Sequence, residues 1–542
     1  MGELNYEKEC KNWKWNIPKY YNIGYDTVDK HADGKNKDKI ALFWENLEGK
    51  TKKFTFGQIS ILSNQFGNVL KNLGFKKGDR FLIRLPNIPE FQISFLGGVK
   101  IGAVPIPSSV MFRSHEVEYR INDSSSKAVF TTPKYAKEVH EIEKNCPTLK
   151  NIIIVGEKEK NELSFNELMK GASSSLKLEP TKSIDMAFFC YTSGTTGNPK
   201  GAVHLHQWVP GNDPSVIYWQ NAKENDVIAH TGDLNWIYPL GNGFLYVWRW
   251  GITTFVYEGR FEPQHWFELM EKYKVTNLAS VPTAYRMFLT VKDAEKKYNL
   301  SALRQCISAG EPLNPKVISE WKRRFGLDIF DGIGMTEVMV YVSNMSGMNI
   351  KPGSCGKPHP GHICALVDSD GKAVTVGESG ILAIKKTDPG LFKEYWNKPE
   401  KTQESFAGDW FLSGDVLYQD EEGYYWFSGR NDDLIKASGY RISPFEVESA
   451  IISHPDVLEC AVVGSPDPVR GTIIKAFIVL HDKRKASDKL VIEIQEHTKK
   501  VAAPYKYPRE IEFVDELPKT QSGKIKRKQL REMEIEIKGV KK

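Results

Sequence analysis

The sequence has few cysteines, and no two of them have metal-binding spacing. Its 542 residues include only seven, Cys10, Cys146, Cys190, Cys306, Cys355, Cys364 and Cys460. An odd number of scattered cysteines without a CxxC pair argues against both a disulfide framework and a zinc ribbon. This pattern predicts a protein of a reducing compartment.

Long apolar runs and targeting signals are also missing. The longest apolar stretches, such as FQISFLGGV before Lys100, fall well short of the roughly 20 residues that span a bilayer. The N-terminus MGELNYEKECKNW is polar and has Tyr6 where a myristoylation signal would have Ser or Thr. We therefore expect a cytoplasmic protein without an integral membrane segment.

No strong excess of one charge is present. The chain has 74 Lys and Arg against 68 Asp and Glu, whereas nucleic-acid binding needs a concentrated basic stripe. The lysine-rich tail after Lys524 is typical of a solvated helix. We expect a small polyanionic ligand and no nucleic-acid partner, while the oligomeric state, a homodimer included, stays open.

Short strands alternate with helices through most of the chain. RFLIRL, KAVFTT and NIIIVG predict strands, and FGQISILSNQFGNVLKNLGF has the three- and four-residue apolar spacing of a helix. This alternation is typical of an α/β fold with largely parallel sheets. After about Gly371, shorter strands with Gly/Asp turns predict a β-rich subdomain of hairpins.

A second, smaller domain is expected at the C-terminal end. After NDDLIKASGYRI the pattern predicts a helix, two strands and a helix, in PFEVESAIISH, LECAVVG, IKAFIVL and KLVIEIQEHTKKVA. A unit of roughly 110 residues is large enough to be a domain of its own. We predict an α/β domain over residues 1–431 and an α+β domain over 432–542.

The segment FFCYTSGTTGNPKGAVH, residues 188 to 204, predicts a phosphate-binding loop. Glycines let the backbone approach phosphates, hydroxyls add donors, and a lysine adds positive charge. It is not a Walker A loop, because Lys200 is followed by Gly201 and Pro199 stands where that motif has glycine. The predicted phosphate contacts are Thr192, Ser193, Gly194, Thr195, Thr196, Gly197 and Lys200.

This loop resembles the signature of the adenylate-forming superfamily of acyl-CoA synthetases, firefly luciferases and peptide-synthetase adenylation domains. Further signatures follow in the expected order: SAGEPL (308–313), DGIGMTE (331–337), SGD (413–415), GRNDDLIKASGYRI (429–442) and LPKTQSGKIKR (517–527). The similarity extends from about residue 35 to 535. It implies an AMP-forming acid:CoA ligase that uses a carboxylic acid, ATP with Mg²⁺, and coenzyme A.

The resemblance also implies roles for residues of the adenylate site. Glu337 would bind Mg²⁺, Thr336 would contact the adenylate, and Lys524 would contact the carboxylate and the α-phosphate during adenylation. Ribose would be bound by Asp415 and Arg430. Adenine would lie between two segments, Gly310, Glu311 and Pro312, and Asp331, Gly332, Ile333, Gly334 and Met335.

A second set of residues is implied for thioester formation. The C-terminal domain would pivot about Asp432, withdraw Lys524 and present Ser438, Gly439 and Tyr440 to coenzyme A, with Arg441 at ATP phosphate in the other arrangement. Gly439 suits a narrow tunnel because it has no Cβ. SPDPVRG and APYKYPREIEF resemble medium-chain acyl-CoA synthetases, which implies CoA-nucleotide contacts at Arg470, Lys499, Tyr507 and Arg509.

The identity of the acid is less determined. Acetyl-CoA synthetases have a bulky Trp where this chain has Gly334, which predicts a medium-chain, branched or cyclic acid. Trp236, Ile237 and Val338 are candidates for the remaining pocket wall, or for core packing. DGIGMTE and ISPFEVE instead resemble benzoate-type ligases. The alternatives are therefore an aryl or short hydroxy acid, acylation of a carrier protein, and a luciferase-like oxygenase.

His204 and His206 could suggest a metal site, but no third ligand with suitable spacing is visible nearby. We expect both to be structural or adjacent to the substrate.

Overall fold

The computed structural model describes residues 4–159, 161–192, 198–430, 433–437, 440–467, 470–502, 506–520 and 525–538, with the backbone alone at 436, 440 and 441. The α-helices of these residues are α1 (Tyr6–Asn12), α2 (Lys30–Ala32), α3 (Phe56–Asn72), α4 (Pro89–Lys100), α5 (Ser114–Ser124), α6 (Pro133–His140), α7 (Phe165–Lys170), α8 (Ile237–Leu240), α9 (Tyr246–Arg249), α10 (Pro263–Lys272), α11 (Pro282–Thr290), α12 (Ala294–Lys297), α13 (Pro315–Phe325), α14 (Pro399–Glu404), α15 (Pro444–Ile452), α16 (Asp488–Val501) and α17 (Arg527–Ile537).

The strands are β1 (Ile40–Asn46), β2 (Thr51–Thr55), β3 (Arg80–Ile83), β4 (Val104–Pro107), β5 (Ala128–Thr131), β6 (Asn151–Ile154), β7 (Leu163–Ser164), β8 (Met186–Thr192), β9 (Lys200–Leu205), β10 (Val227–His230), β11 (Thr253–Glu258), β12 (Asn277–Ser280), β13 (Gln305–Ser308), β14 (Ile329–Met335), β15 (Met339–Ser343), β16 (Lys357–Pro358), β17 (Cys364–Val367), β18 (Ser379–Lys385), β19 (Glu394–Tyr395), β20 (Phe406–Ala407), β21 (Trp410–Gln419), β22 (Tyr425–Arg430), β23 (Ile435–Ala437), β24 (Tyr440–Ile442), β25 (Val457–Asp467), β26 (Gly471–Leu480) and β27 (Glu510–Phe513).

Helix α3 shows how local sequence sets these elements. Its first turn is closed by a capping box, in which the Gln58 backbone N–H donates to Thr55 Oγ1 over 3.2 Å and the Thr55 N–H donates to Gln58 Oε1 over 2.9 Å. These bonds satisfy two amide groups that a helix start leaves without partners. Its apolar stripe, with Phe56, Ile59 and Phe66, is completely buried, as the periodicity predicts.

Two sheets are built mainly from parallel strands, as predicted. The larger has the order β16-β15-β14-β13-β12-β10-β11-β1-β2, and its central strands from β14 to β1 are parallel. The smaller has the order β4-β3-β5-β6-β7 and is parallel throughout. Helices of the intervening segments cover these sheets, so strands such as β5, β12 and β13 are buried on both faces, whereas the edge strand β2 is partly exposed.

The predicted hairpin region is an antiparallel sheet of β17, β18, β20, β21 and β22. It begins at Cys364, slightly before the predicted change at Gly371. Gly371 and Gly423 lie in its turns with φ values of 82° and 85°, a region that glycine adopts without steric cost.

A separate C-terminal domain follows, as expected. Its sheet contains β25, β26 and β27, and α15 and α16 pack beside it around a core that includes Val447, Ile474 and Ile494. The helix predicted in the lysine-rich tail is α17. No helix in the described ranges is long and apolar enough to cross a membrane.

Candidate active site

Two of the predicted motifs lie at one edge of the large sheet. Strands β13 and β14 are parallel neighbours; Gly310 and Glu311 follow β13, and Thr336 and Glu337 follow β14. The carboxyl ends of parallel strands meet at the same edge, where α/β proteins commonly bind ligands. The topology thus brings the predicted adenine segments together.

The predicted phosphate loop joins two antiparallel strands, β8 and β9. Thr192 and Lys200 form a cross-strand pair at the open end of this hairpin. Ser193, Gly194, Thr195, Thr196 and Gly197 lie outside the described residues. Lys200 is partly buried, and this burial lowers the pKa of its ammonium group, while Glu337 acts in the opposite direction.

Tyr395 connects Lys200 to Glu337. The Lys200 ammonium lies 4.0 Å from the centroid of the Tyr395 ring, a cation–π contact. The Tyr395 hydroxyl donates a 2.6 Å hydrogen bond to Glu337 Oε1. Burial, followed by the Glu337 charge, raises the pKa of Tyr395, so this hydroxyl stays a donor. One tyrosine therefore holds the predicted phosphate cation and the predicted metal ligand together.

The surroundings of Glu337 leave one of its carboxylate oxygens available to a metal ion. Its exposed fraction is 4%, its backbone carbonyl accepts from the Phe392 N–H, and its Oε2 has no hydrogen-bond partner among the described residues. Mg²⁺ on ATP needs only one or two protein carboxylates besides phosphates and water. This oxygen fits such an ion, which would supply charge neutralisation on the phosphates.

Glu337 follows Thr336 in the tight turn between β14 and β15. The register shifts after Ile333, so that Gly334 pairs with Val340, and Met339 has the unusual φ of 64°. A Cβ added at Gly334 would lie 1.8 Å from the Met339 carbonyl oxygen. Introducing Trp at this position would therefore displace the hairpin before it narrowed a pocket, so Gly334→Trp is unsuitable as a test of acid size.

Asp331 is a buried carboxyl group of β14 with an exposed fraction of 5%. Its Oδ1 has no hydrogen-bond partner within the described part of the chain. Burial raises the pKa of Asp331 from 3.8 to about 8, although hydrogen bonds from neighbouring groups partly oppose this shift. Its backbone carbonyl accepts from the Asn344 N–H over 2.9 Å. The Asp331 carboxyl group of the folded protein is thus protonated below about pH 8.

This shift predicts a pH-dependent stability effect of Asp331→Asn. The native state keeps a proton that the unfolded chain releases, so the free energy of unfolding of the parent falls between about pH 4 and about pH 8. Asparagine does not titrate, and the variant should gain stability relative to the parent between about pH 5.5 and about pH 8.5. Denaturant unfolding at both pH values measures this.

Asp420→Asn is the matched control. Its hydrogen bonds lower the pKa of Asp420 to about 2 despite opposing desolvation, so Asp420 is ionised in both states throughout that interval. The effect of Asp420→Asn on the free energy of unfolding should therefore not change with pH. If the stability difference between Asp331→Asn and the parent is also the same at both pH values, the assignment of a raised pKa to Asp331 is refuted.

The turn of Gly310, Glu311 and Pro312 is held by contacts of the Glu311 side chain. Gly310 has a φ of 102°, which glycine adopts readily. Both Glu311 carboxylate oxygens accept from the Thr283 hydroxyl at 3.1 Å, and Arg286 lies 3.4 Å from Glu311 Oε2. Arg286 also lies 4.0 Å from Glu459 of the C-terminal domain, so this turn connects to the second domain.

The predicted ribose residues are adjacent in the β-rich sheet. Asp415 on β21 pairs in register with Arg430 on β22, and their side chains approach to 3.3 Å. Gly414 has a φ of 76°, and its missing side chain leaves room for the Arg430 guanidinium, which would lie 3.1 Å from a Cβ. The structure thus brings together the two predicted groups as an ion pair.

Three of the four predicted CoA-nucleotide residues form one partly exposed group. The Lys499 ammonium lies 4.3 Å from the centroid of the Tyr507 ring, and the Arg509 guanidinium lies 5.0 Å from it. Arg470 lies in the turn between β25 and β26, where its N–H donates to Asp467, and no contact among the described residues joins it to the other three. A ring flanked by two cations suits an adenine with phosphates.

The remaining C-terminal predictions cannot be placed. Asp432, Ser438, Gly439 and Lys524 lie outside the described residues. For Tyr440 and Arg441 only the backbone is described, in β24 paired with β23.

The predicted acyl-pocket residues occupy two different surroundings. Trp236 is partly exposed and contacts the Phe112 ring edge-on at 6.3 Å, and Ile237 packs against the large core. Val338 is completely buried in the cluster of Tyr341, Leu382 and Phe411. Trp236 and Ile237 thus stay candidates for a pocket wall, whereas the packing role suffices for Val338.

His204 and His206 are completely buried. His204 stacks on Phe188 at 4.8 Å, and burial lowers the pKa of each histidine to about 3. No group of three metal-ligating side chains occurs in the part of the chain that the structure describes. Their surroundings are those of neutral core residues.

Tyr395 and Asp123 join the candidate site without having been predicted from the sequence. Tyr395 binds Glu337 across 58 residues of sequence, and Asp123 binds Tyr191 across 68. Neither lies in a recognised motif. The sequence around them carries no signal that points to either role.

Comparison with known proteins agrees with this geometry. The AMP-binding enzyme family model matches residues 28–396, and that of the AMP-binding enzyme C-terminal domain matches residues 446–524. The uncharacterized acyl–CoA ligase YtcI of Bacillus subtilis is 41% identical over 97% of this chain and 98% of its own. Mouse mitochondrial acyl-coenzyme A synthetase ACSM3 is 38% identical over 98% and 93%.

A solved structure is also similar over nearly its full length. The anthranilate CoA ligase AuaEII in complex with anthranoyl-AMP superimposes with a TM-score of 0.90 at 33% identity, over 97% of this chain and 99% of that one. Family models, relatives and fold therefore agree. The chain belongs to the AMP-binding enzyme family of the adenylate-forming superfamily and is an AMP-forming acyl-CoA synthetase.

Proposed function

We propose that this acyl-CoA synthetase acts on a medium-chain, branched or cyclic carboxylic acid, with Mg²⁺ on the phosphates of ATP. The observation that carries the adenylation chemistry is the connection of Lys200 to Glu337 through Tyr395. It supplies a cation for phosphate oxygens and a carboxylate oxygen for the metal within one short group of contacts. Both are needed where charge develops during phosphoryl chemistry.

Adenylation begins with attack of the substrate carboxylate on the α-phosphorus of ATP, and pyrophosphate leaves. Lys200 binds phosphate oxygens, and Lys524 supplies a second cation where two anions meet. Asp415 and Arg430 bind the ribose, and the segments around Gly310 and Asp331 enclose the adenine. The product is a mixed anhydride whose carbonyl carbon is activated.

Thioester formation follows on the same anhydride. The sulfur of coenzyme A attacks the carbonyl carbon, its proton is released, and AMP leaves. We propose that the domain of residues 432–542 pivots at Asp432 between the two steps and presents the Gly439 backbone to pantetheine. Support comes from the partly exposed group of Lys499, Tyr507 and Arg509, which suits the CoA nucleotide.

The proposed acid class rests on the resemblance of SPDPVRG and APYKYPREIEF to medium-chain acyl-CoA synthetases. Free space at Gly334 does not support it, because a Cβ there would lie 1.8 Å from the Met339 carbonyl oxygen. In a pocket that takes a longer chain, each buried CH₂ contributes about 0.8 kcal/mol. Two additional carbons should therefore improve kcat/KM more than tenfold over acetate. Trp236, beside Phe112, is the proposed aromatic part of the wall.

Acid-dependent AMP release, with and without coenzyme A, tests this proposal. The acids are acetate, hexanoate, isobutyrate, cyclohexanecarboxylate and benzoate, and the enzyme is unmodified because a Gly334 substitution would disturb the hairpin. We expect sustained turnover only with coenzyme A and a higher kcat/KM for hexanoate, isobutyrate or cyclohexanecarboxylate than for acetate. Acetate as the best substrate would refute the proposed acid class.

An aryl acid is the second candidate, supported by the similarity to an anthranilate CoA ligase. The same series separates the two, because preference for benzoate over cyclohexanecarboxylate selects the aryl alternative. Acyl transfer to added carrier proteins in place of coenzyme A would indicate an adenylation module instead.

A further inference from the structure

Asp123, near the end of α5, contacts the two segments around Lys200, namely the β8–β9 hairpin and residues 395–398. We propose that Asp123 is a positioning residue that fixes the Lys200 ammonium where ATP phosphates bind. The inference depends on the proposed function, in which Lys200 binds those phosphates. Asp123 acts through Tyr191 on one side and through the segment 395–398 on the other.

The first connection fixes the β8–β9 hairpin. The Tyr191 hydroxyl donates a 2.7 Å hydrogen bond to Asp123 Oδ2. Tyr191 pairs with Gly201, directly beside the Thr192–Lys200 pair. Its ring covers Gly201 so closely that an added Cβ would lie 3.2 Å from the ring. Asp123 thus holds the strand end from which Lys200 projects.

The second connection fixes the neighbourhood of Tyr395. The Lys398 ammonium lies 3.2 Å from Asp123 Oδ1, and the Trp396 indole N–H donates to the Asp123 carbonyl over 3.0 Å. The backbone N–H of Trp396 also donates to the Gly201 carbonyl over 2.8 Å. Tyr395 directly precedes Trp396. The ring that the Lys200 ammonium contacts is therefore held in position by Asp123 as well.

A third contact, from the same helix, reaches the other side of the hairpin. The Tyr119 hydroxyl donates to the carbonyl of Pro199 over 2.9 Å, and Pro199 precedes Lys200. Residues before and after the phosphate segment, Tyr191 and Pro199, are therefore both bonded to α5. A single rigid helix sets the distance between them.

These contacts matter because Lys200 contributes only if its position is fixed. The Asp123 side chain is only 11% exposed, and both of its oxygens accept hydrogen bonds. With asparagine at position 123 a single uncharged oxygen remains, so the Tyr191 hydroxyl and the Lys398 ammonium no longer share a carboxylate. A displacement of about 1 Å at a positioning contact can reduce catalysis by about 100-fold.

The test compares Asp123→Asn with Glu45→Gln. Glu45 is a matched control because its 5% exposed carboxylate also accepts from one lysine and one tyrosine, Lys272 and Tyr273, but in the β1 region. Isothermal titration with MgATP measures nucleotide binding without any acid. We expect Asp123→Asn to weaken MgATP binding about 10-fold, with the KM for coenzyme A unchanged, and Glu45→Gln to leave both constants unchanged.

Equal effects of the two variants on MgATP binding, or none in Asp123→Asn, would overturn the inference. Absence of MgATP binding in the unmodified protein would instead refute the proposed function. Tyr191→Phe keeps the inference testable if Asp123→Asn does not fold, since it removes one hydroxyl and should weaken MgATP binding in the same direction. The double variant should lose no more than Asp123→Asn alone, because the Tyr191 hydroxyl acts through its hydrogen bond to Asp123; additive losses would overturn the proposed route.

Discussion

Replacing Lys524 with alanine should slow acid-dependent pyrophosphate exchange about 100- to 1000-fold. Attack of a carboxylate on ATP brings two anions together, and a lysine next to the α-phosphate stabilises the charge that develops. Lys524 lies in LPKTQSGKIKR, which resembles the family segment with that role. Attack of a thiol on the finished anhydride has no such requirement, so thioester formation from supplied acyl-adenylate should be largely retained.

Gly439→Leu is the complementary variant. A side chain at this position would block the proposed path of pantetheine, so thioester formation should fall while pyrophosphate exchange is largely spared. Each variant is assayed for both half-reactions, and circular dichroism checks that it is folded. Equal loss of both half-reactions in both folded variants would contradict domain alternation.

Glu337→Gln should raise the Mg²⁺ concentration that gives half-maximal adenylation by about 10- to 100-fold. The amide keeps an oxygen for the Tyr395 hydroxyl but removes the negative charge of the proposed ligand. Pyrophosphate exchange over a Mg²⁺ titration at fixed ATP measures the change. A Gln variant with the Mg²⁺ dependence of the parent would remove Glu337 from the metal site.

Glu337→Ala serves as the structural comparison. It removes the acceptor of the buried Tyr395 hydroxyl and should cost about 1–3 kcal/mol in the free energy of unfolding. Truncation of this carboxylate is therefore expected to reduce stability as well as metal binding. The two variants should therefore share the Mg²⁺ effect and differ in thermal unfolding.

Sequence patterns predicted the elements whose causes are local. The helix over Phe56–Asn72 follows from apolar spacing with a capping box at its start, and α15, β25, β26 and α16 begin within a few residues of the predicted positions. Each depends on neighbours along the chain, which a single sequence displays directly.

Contacts between distant segments could not be predicted in this way. Lys398 binds Asp123 across 275 residues of sequence, and nothing in either local segment identifies the partner. Val338 could line a pocket or fill a core, since both need an apolar side chain, and only its complete burial favours the core. Long-range packing therefore decides these roles.

The closed turn between β14 and β15 also limits how the acid preference of this enzyme could be redesigned. Gly334 has no room for a side chain against Met339, and Met339 itself has an uncommon backbone conformation. A mutant library at this turn would yield mostly damaged proteins rather than new specificities. Diversity introduced at Trp236 and Ile237, which lie on a different element, would leave the turn intact, so natural or laboratory changes of substrate would be easiest to obtain through that wall.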